Sequence, residues 1–261
     1  MTMKKECNIL RQSSLYVRNW TNTQPNVKEE SLTDWLLFNV SEKTKNITYR
    51  DFTRHEESKT TGADWEWWFI FPNFSYKFRV QAKKTKTSSN NYNGVTYPKK
   101  TSSQMNKLIS DAYQNNALPI YAFYTDKIER VKCQKKILDE GVYLVSAIDL
   151  KNKFVIPNTK KIEYNDILEG TIPLSCLLCC ELHNDSKNEK PENFEVFVKE
   201  YFYSSPLIGN EIIEDLGKYK QTPNYVNSLL EFSNKDLPDW WEKEFGRNIK
   251  DLNGILVFDR R

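Results

Sequence analysis

One short stretch of the chain, from 55 to 84, carries the residue types that could do chemistry. Asp64, Glu66 and Trp68 alternate there with aromatic residues, which is typical of a strand. Because side chains alternate between the two faces of a strand, these three share one face. The other face is aromatic (Trp65, Trp67 and Phe69). The spacing predicts an acidic row on a strand whose opposite face packs in the core.

A second strand is predicted at 76–83. Gln81 and Lys83 alternate there with Val80 and Ala82, so the amide and the ammonium share a face. The connection from the first strand is short, which favours an antiparallel hairpin. If the two polar faces lie together, an acid, an amide oxygen and an ammonium converge.

That combination has a definite chemistry. Carboxylate and carbonyl-type oxygens are the ligands that a hard cation such as Mg²⁺ prefers. A lysine beside them can orient or deprotonate an attacking water and offset the charge of a phosphate. The two strands therefore predict a metal site suited to phosphodiester chemistry.

The same residues carry a resemblance to a known superfamily. Asp64 followed by Gln81-x-Lys83 resembles the PD-(D/E)XK nucleases, in the variant of Mrr-like restriction endonucleases, where Gln replaces the middle acid. The helix–strand–strand–strand–helix–strand order that we predict over 27–125 is similar to the core of that superfamily. The string GADWEWW followed by VQAK also looks like an uncharacterised bacterial family of unknown function.

The nuclease resemblance implies roles for individual residues. Asp64 would be the metal-binding acid, Gln81 the second ligand through its side-chain oxygen, and Lys83 the catalytic lysine. The backbone carbonyl of Ala82 would complete the ligand shell. The cofactor implied is Mg²⁺ or Mn²⁺.

Because Gln81 replaces an acid, a further carboxylate is expected, and three candidates stay open. Many members of the superfamily use an acid from the first core helix, for which Glu30 is the candidate. Glu57 lies at the end of the preceding strand, and Glu66 lies on the same strand face as Asp64.

Residues that could bind nucleic acid surround this region. Four lysines flank a polar loop at 84–101 and could hold a phosphate backbone through charge alone: Lys84, Lys86, Lys99 and Lys100. Gln104 opens the next helix, which borders the active site in the superfamily. Trp68 shares the polar face and is the candidate for base stacking, whereas Trp65 and Trp67 are assigned to the core.

The remaining pattern predicts an α/β protein with a restriction-endonuclease-like αβββαβ core, a mixed central sheet and a mainly helical C-terminal extension. Helical spacing and turn signals place the elements. Helices are predicted at 1–23, 27–44, from 102 onward, 164–182, 194–203, 209–218, 222–232 and 238–245. Strands are predicted at 47–57, 64–71, 76–83, 119–125 and 141–150, with a last strand at GILVFDR. The predicted divisions are an N-terminal helical segment at 1–26, the nuclease-like core at 27–160 and a C-terminal part at 161–261 packed on it.

Composition narrows the setting. A net charge of +3 permits a local basic surface without demanding a nucleic-acid partner. The five cysteines are odd in number and without framework spacing, which predicts reduced thiols in a cytoplasmic protein. Cys176, Cys179, Cys180 and His183 lie on one helical face, but one helix cannot wrap a zinc ion, so the cysteines are expected to be small buried residues. No apolar window is long enough to span a membrane.

The leading expectation is a Mg²⁺-dependent nuclease that hydrolyses phosphodiester bonds of nucleic acid, with DNA as the favoured substrate and RNA left open, in a bacterial or phage-defence setting. The alternative is a catalytically inactive protein of the same fold that binds nucleic acid or a protein partner. Homodimer formation stays open.

Overall fold

The computed structural model describes residues 3–52, 61–84, 101–126, 140–157, 164–180, 191–203, 215–232, 236–249 and 252–261. Its first half follows the predicted order of elements. Two helices come first, α1 (Met3–Thr23) and α2 (Glu29–Glu42). They are followed by β1 (Ile47–Asp51), β2 (Trp65–Ile70), β3 (Ser75–Lys84), α3 (Thr101–Gln114) and β4 (Leu118–Tyr124).

The second half is built from shorter elements. Its helices are α4 (Ala147–Leu150), which continues into a π-helical turn at Lys151–Val155, then α5 (Tyr164–Leu168), α6 (Cys176–Cys179), α7 (Pro191–Phe202), α8 (Asn224–Glu231) and α9 (Asp239–Ile249). Its strands are β5 (Val142–Ser146), β6 (Ile172–Pro173), β7 (Lys218–Tyr219) and β8 (Gly254–Asp259).

The eight strands in the described part of the chain join one mixed sheet. The order is β1-β8-β2-β3-β4-β5-β6, and β7 pairs with the start of β3. β2 and β3 form the predicted antiparallel hairpin, with Trp65 opposite Val80. β8 lies between β1 and β2, parallel to β2 and antiparallel to β1. The C-terminal segment therefore supplies an interior strand of the sheet in addition to helices that pack on it.

Each face of the sheet is covered by its own apolar layer. Trp65, Trp67 and Val80 lie in the layer that includes α1, α2 and α7, as predicted for the core face of the hairpin. Trp68 and Tyr121 lie in the opposite layer, with α3, α8 and α9. The strand alternation read from the sequence is confirmed.

Three predicted elements differ from the structure. The strand at 141–150 ends at Ser146, whose side chain accepts a hydrogen bond from the Asp149 amide and so caps α4. The helix at 164–182 is interrupted by the segment Gly170 to Pro173, because glycine and proline both disfavour a helix interior. The helix at 209–218 gives way, in its described part, to a turn at 215–217 and then β7.

Gly217 makes that turn possible. Its φ is +79°, and a Cβ there would lie 2.8 Å from the carbonyl oxygen of Lys77. A side chain at this position would have to displace the backbone of β3.

The prediction that all cysteines are reduced thiols is wrong for one pair. Cys7 on α1 and Cys179 on α6 form a disulfide, with their Cα atoms 5.4 Å apart. Cys176 and Cys180 are free and buried, as predicted. Sequence spacing missed the pair because its two cysteines are 172 residues apart.

Within the described ranges, every helix is too short or too polar to cross a lipid bilayer.

Candidate functional site

The centre of the site lies where β2 begins and β3 approaches its end. The Asp64 amide donates to the Val80 carbonyl, which continues the hairpin ladder by one residue. This places the Asp64 side chain beside Gln81, whose Nε2 donates to Asp64 Oδ2 at 2.5 Å. The amide of Ala82 donates to the same oxygen at 2.9 Å. The convergence of Asp64 and Gln81 predicted from the sequence is therefore present.

Gln104 joins this pair from α3. Its Nε2 donates to Gln81 Oε1 at 2.8 Å, so both ends of the Gln81 amide are engaged. Gly62 allows the approach of α3: its φ is +67°, and a Cβ there would lie 2.5 Å from the Gln104 carbonyl oxygen. The turn before β2 thus sets the distance between Asp64 and α3.

The first helix contributes Glu29, a residue that the sequence interpretation missed. Glu29 Oε2 accepts a hydrogen bond from the Lys84 amide at 2.5 Å, which holds the carboxylate at the end of β3. Burial raises the pKa of Glu29 to about 7, the Lys83 ammonium opposes that rise, and the Asp64 carboxylate adds to it. Glu29, Asp64 and Lys83 are therefore close enough for their charges to interact.

Glu30, the predicted helix acid, faces elsewhere. It is exposed and lines a cleft of about 510 Å³ between α2 and β1, together with Asp34, Asp51 and the ring of Trp65. A helix turns by 100° per residue, so Glu29 and Glu30 cannot both face β3. The prediction that Glu30 is the helix acid of the site is therefore wrong. Glu29, its neighbour on α2, lies where that acid was expected.

Glu66, another candidate ligand, is fully buried in an ionic network away from Asp64. Its Oε2 lies 2.8 Å from Arg79 Nη1 and 3.2 Å from Lys77 Nζ. Its Oε1 accepts hydrogen bonds from the Trp68 ring nitrogen and the Tyr225 hydroxyl, each at 2.5 Å. Although burial acts to raise the pKa of Glu66, Lys77 and Arg79 hold it below its usual range. Both oxygens of the carboxylate are occupied by these contacts. The prediction that Glu66 is a metal ligand is therefore wrong.

Trp68 does not present a stacking surface. Its side chain is fully buried and contacts the rings of Tyr219 and Tyr225, because β7 and α8 cover this part of the polar face. The predicted role in base stacking is therefore wrong.

Lys84 is also engaged within the protein. Its Nζ donates to the carbonyls of Pro25 and Val27 in the α1–α2 connection, at 2.7 Å for Val27. It anchors the start of α2 to the end of β3, which differs from the predicted contact with phosphate. Glu57, Lys86, Lys99 and Lys100 lie outside the described residues.

The donor set suits a hard cation. Two carboxylates (Asp64 and Glu29) and the carboxamide of Gln81 offer the oxygen ligands that Mg²⁺ prefers, and the charge of the Lys83 ammonium acts on Glu29. In the described part of the chain, three or more His, Cys, Asp or Glu side chains nowhere come together as a metal group. A cation held here would therefore need the Gln81 amide as its third donor.

The orientation of that amide matters. The nitrogen of Gln81 faces Asp64 and the oxygen faces Gln104. To offer its oxygen to a cation at Asp64, the Gln81 amide would turn over, and Gln104 would then turn its own oxygen toward Gln81. Both positions are glutamines, so one hydrogen bond between them is available in either arrangement.

Together, the fold and the site define an α/β protein with an open mixed sheet and a polar cluster where β2, β3 and α2 meet. Residues 6–261 match the model of a family of unknown function (DUF6615), and the chain belongs to that family. No curated protein and no solved structure matches it.

Proposed function

We propose that this protein is a metal-dependent nuclease that hydrolyses phosphodiester bonds, with DNA as its substrate. The observation that carries the proposal is the contact of Asp64 with Gln81, together with the charge interactions that Glu29 makes with Asp64 and Lys83. The restriction-endonuclease-like form of the core and a place in bacterial or phage defence are parts of the same proposal. A cytoplasmic setting is also part of it, although the Cys7–Cys179 disulfide is unusual in a reducing compartment.

Each residue of the cluster has a distinct task. Asp64, Glu29 and the turned amide of Gln81 hold a Mg²⁺ or Mn²⁺ ion, which supplies a water of lowered pKa and offsets phosphate charge when bound. Gln104 keeps the Gln81 amide in position. Lys83 lies beside the carboxylates, where its ammonium can orient the attacking water and balance the charge that develops on the phosphate.

The direction of substrate approach follows from charge. The cleft on the outer side of α2 is lined by Glu30, Asp34 and Asp51, so it repels a polyanion. Gln81 is instead contacted by Gln104 in the first turn of α3, and the next turn of that helix carries the exposed Lys107. We place the DNA backbone on the α3 side.

One observation favours a second candidate, a binding protein without catalysis. The Gln81 nitrogen, rather than its oxygen, faces Asp64, so a hydrogen bond already joins the two side chains. Such a protein would retain the surface beside Lys83 and bind nucleic acid without cutting it.

A cleavage assay with a matched control separates the two. Wild type, Lys83→Ala and Lys199→Ala would be incubated with plasmid and single-stranded DNA in Mg²⁺ or Mn²⁺. We expect Lys83→Ala to cut about 100-fold more slowly, as for loss of a group that stabilises developing charge. Lys199, which is 59% exposed on α7, should be dispensable.

Equal cutting by all three proteins, or no cutting by any, contradicts the nuclease proposal. Binding without cutting, measured by the mobility of labelled DNA, supports the second candidate.

A further inference from the structure

Tyr121 has a hydroxyl that its surroundings leave unused. It lies on β4 directly opposite Gln81 of β3, with which it pairs in parallel register. The side chain is fully buried, and its ring stacks on Phe123 at 5.7 Å. Within the described residues, the hydroxyl has no hydrogen-bond partner. Buried hydroxyls almost always have one, so this one needs an explanation.

The hydroxyl lies within electrostatic range of the carboxylates of the candidate site, and its strand position is opposite Gln81, which contacts Asp64. Burial raises the pKa of Tyr121, and the negative charges of Asp64 and then Glu29 raise it further. The group is therefore a neutral phenol, which can donate a hydrogen bond, beside two groups that accept them.

A cation at Asp64 would change the hydrogen-bond donors available to that carboxylate. In the free chain Asp64 Oδ2 accepts from Gln81 Nε2 and from the Ala82 amide. When Gln81 turns its oxygen toward the cation, Asp64 loses the Gln81 donor. Carboxylates that bind metals are held by such outer hydrogen bonds, so a replacement donor is expected.

We propose that Tyr121 is a positioning residue that donates its hydroxyl hydrogen to Asp64, directly or through one water, once a divalent cation engages Asp64 and Gln81. This inference rests on the proposed metal site. Nothing in the proposal is covalent: one hydrogen bond to Asp64 is lost at Gln81 and one is gained from the phenol.

The chain offers a matched control in Tyr76. It too is fully buried with a hydroxyl that has no partner in the described ranges. It lies on the other face of β3, near the residues Tyr203, Glu195 and Asp215 rather than the site. Tyr76→Phe therefore also removes a buried hydroxyl without a partner, but at a position away from Asp64.

The test compares wild type, Tyr121→Phe and Tyr76→Phe, first without and then with Mn²⁺. Without the cation, the thermal midpoint of Tyr121→Phe should be equal to or above that of wild type, because the hydroxyl has no bond to lose. With Mn²⁺, followed by the signal of the free ion in electron paramagnetic resonance, Tyr121→Phe should bind about tenfold more weakly. Its thermal midpoint should also rise less on adding Mn²⁺. Tyr76→Phe should bind like wild type.

The outcomes separate the two proposals. If wild type binds no Mn²⁺, both the metal site and the role of Tyr121 are overturned. If wild type binds Mn²⁺ and Tyr121→Phe binds it equally well, only the role of Tyr121 is overturned. A lower thermal midpoint of Tyr121→Phe without the cation would show a structural hydroxyl and would also overturn it.

Discussion

The rotation of α2 about its axis decides which of two neighbouring carboxylates faces Asp64. Glu29 precedes Leu32 by three residues and Leu36 by seven, so it continues the buried stripe of α2. Glu30 precedes Asp34 by four and Phe38 by eight, and both of these are exposed. The phase of the stripe is visible in the sequence, and it is the signal that could have identified Glu29.

This assignment predicts that the two glutamates differ in function. Glu29→Gln keeps the size of the side chain and an oxygen for the Lys84 amide, but it removes the charge that a cation needs. We expect its Mn²⁺ affinity, and its DNA cleavage at a fixed Mn²⁺ concentration, to fall at least about tenfold. Glu30→Gln is the control and should change neither.

The measurement is a Mn²⁺ titration of both variants beside wild type. If Glu30→Gln loses Mn²⁺ affinity and Glu29→Gln does not, then Glu30, the acid predicted from the sequence, is the ligand. Equal losses would mean that the general negative potential at the start of α2 matters, rather than one ligand.

Residue spacing predicted which strand faces carry Asp64, Gln81 and Lys83, because alternate side chains of a strand point to the same face. This alternation depends only on the local sequence. It could not predict the fate of Trp68 and Glu66 on that same face. Whether a strand face meets solvent depends on the elements that pack over it. Tyr225, whose hydroxyl binds Glu66, is 159 residues away in the sequence.

At the scale of elements, the ionic network around Glu66 joins four of them. Its carboxylate on β2 binds Lys77 and Arg79 on β3 and the Tyr225 hydroxyl on α8. Arg79 also lies 3.0 Å from Asp111 on α3. Burial lowers the pKa of Lys77, while the Glu66 carboxylate opposes that change. The charges therefore depend on one another to remain ionised inside the protein.

Glu66→Gln should be strongly destabilising. It leaves Lys77 and Arg79 buried without their main counter-charge, which costs about 3–5 kcal/mol in the free energy of unfolding. Urea unfolding followed by tryptophan fluorescence measures the change. Glu195→Gln is the control, because Glu195 binds Lys199 and Lys218 near the surface and should cost less than about 1 kcal/mol.

The same network has a signed pH dependence. The pKa of Glu66 is lower in the folded protein than in the unfolded chain, so its stabilisation is present above the unfolded pKa and is lost as the pH falls. The difference in stability between wild type and Glu66→Gln should therefore shrink below about pH 4.5. A difference that stays constant down to acid pH would mean that Glu66 is not ionised in the fold.

The order of elements in the first half was predictable because each has a local signal of period, turn or cap. The position of β8 was not. GILVFDR reads as a strand, but only the folded chain shows that it lies between β1 and β2. β1 pairs with β8 rather than with β2, which follows it in the sequence. Neither the pairing partner nor the direction of a strand is encoded in its own apolar pattern.

At the scale of the whole molecule, the two ends of the chain stabilise each other. Arg260, just after β8, lies 2.5 Å from the Glu6 carboxylate on α1. Glu6 is 2% exposed and also accepts a hydrogen bond from Asn46 before β1. One residue further along α1, Cys7 is bonded to Cys179. The N-terminal helix is therefore held by contacts that close very long loops.

The disulfide should be the largest single contribution of this kind. A crosslink between residues 172 apart removes conformational freedom from the unfolded chain, which in the chain-entropy account stabilises the fold by up to about 5 kcal/mol. We expect the double variant Cys7→Ser, Cys179→Ser to lose several kcal/mol in urea unfolding. Cys180→Ser, in which a buried free thiol is changed, is the control for disturbing α6 without breaking the crosslink.

A reducing agent gives the decisive comparison, because it acts on the disulfide without altering the sequence. Wild type should fall to the stability of the double variant when reduced, whereas the double variant should be unaffected. If wild type has the same stability in both conditions, the crosslink does not contribute to the fold. If reduction also lowers the stability of the double variant, a different thiol pair carries the effect. Since Cys7 and Cys179 join α1 to α6, and neither helix supplies a residue of the candidate site, we expect Mn²⁺ affinity to persist in reduced protein that remains folded.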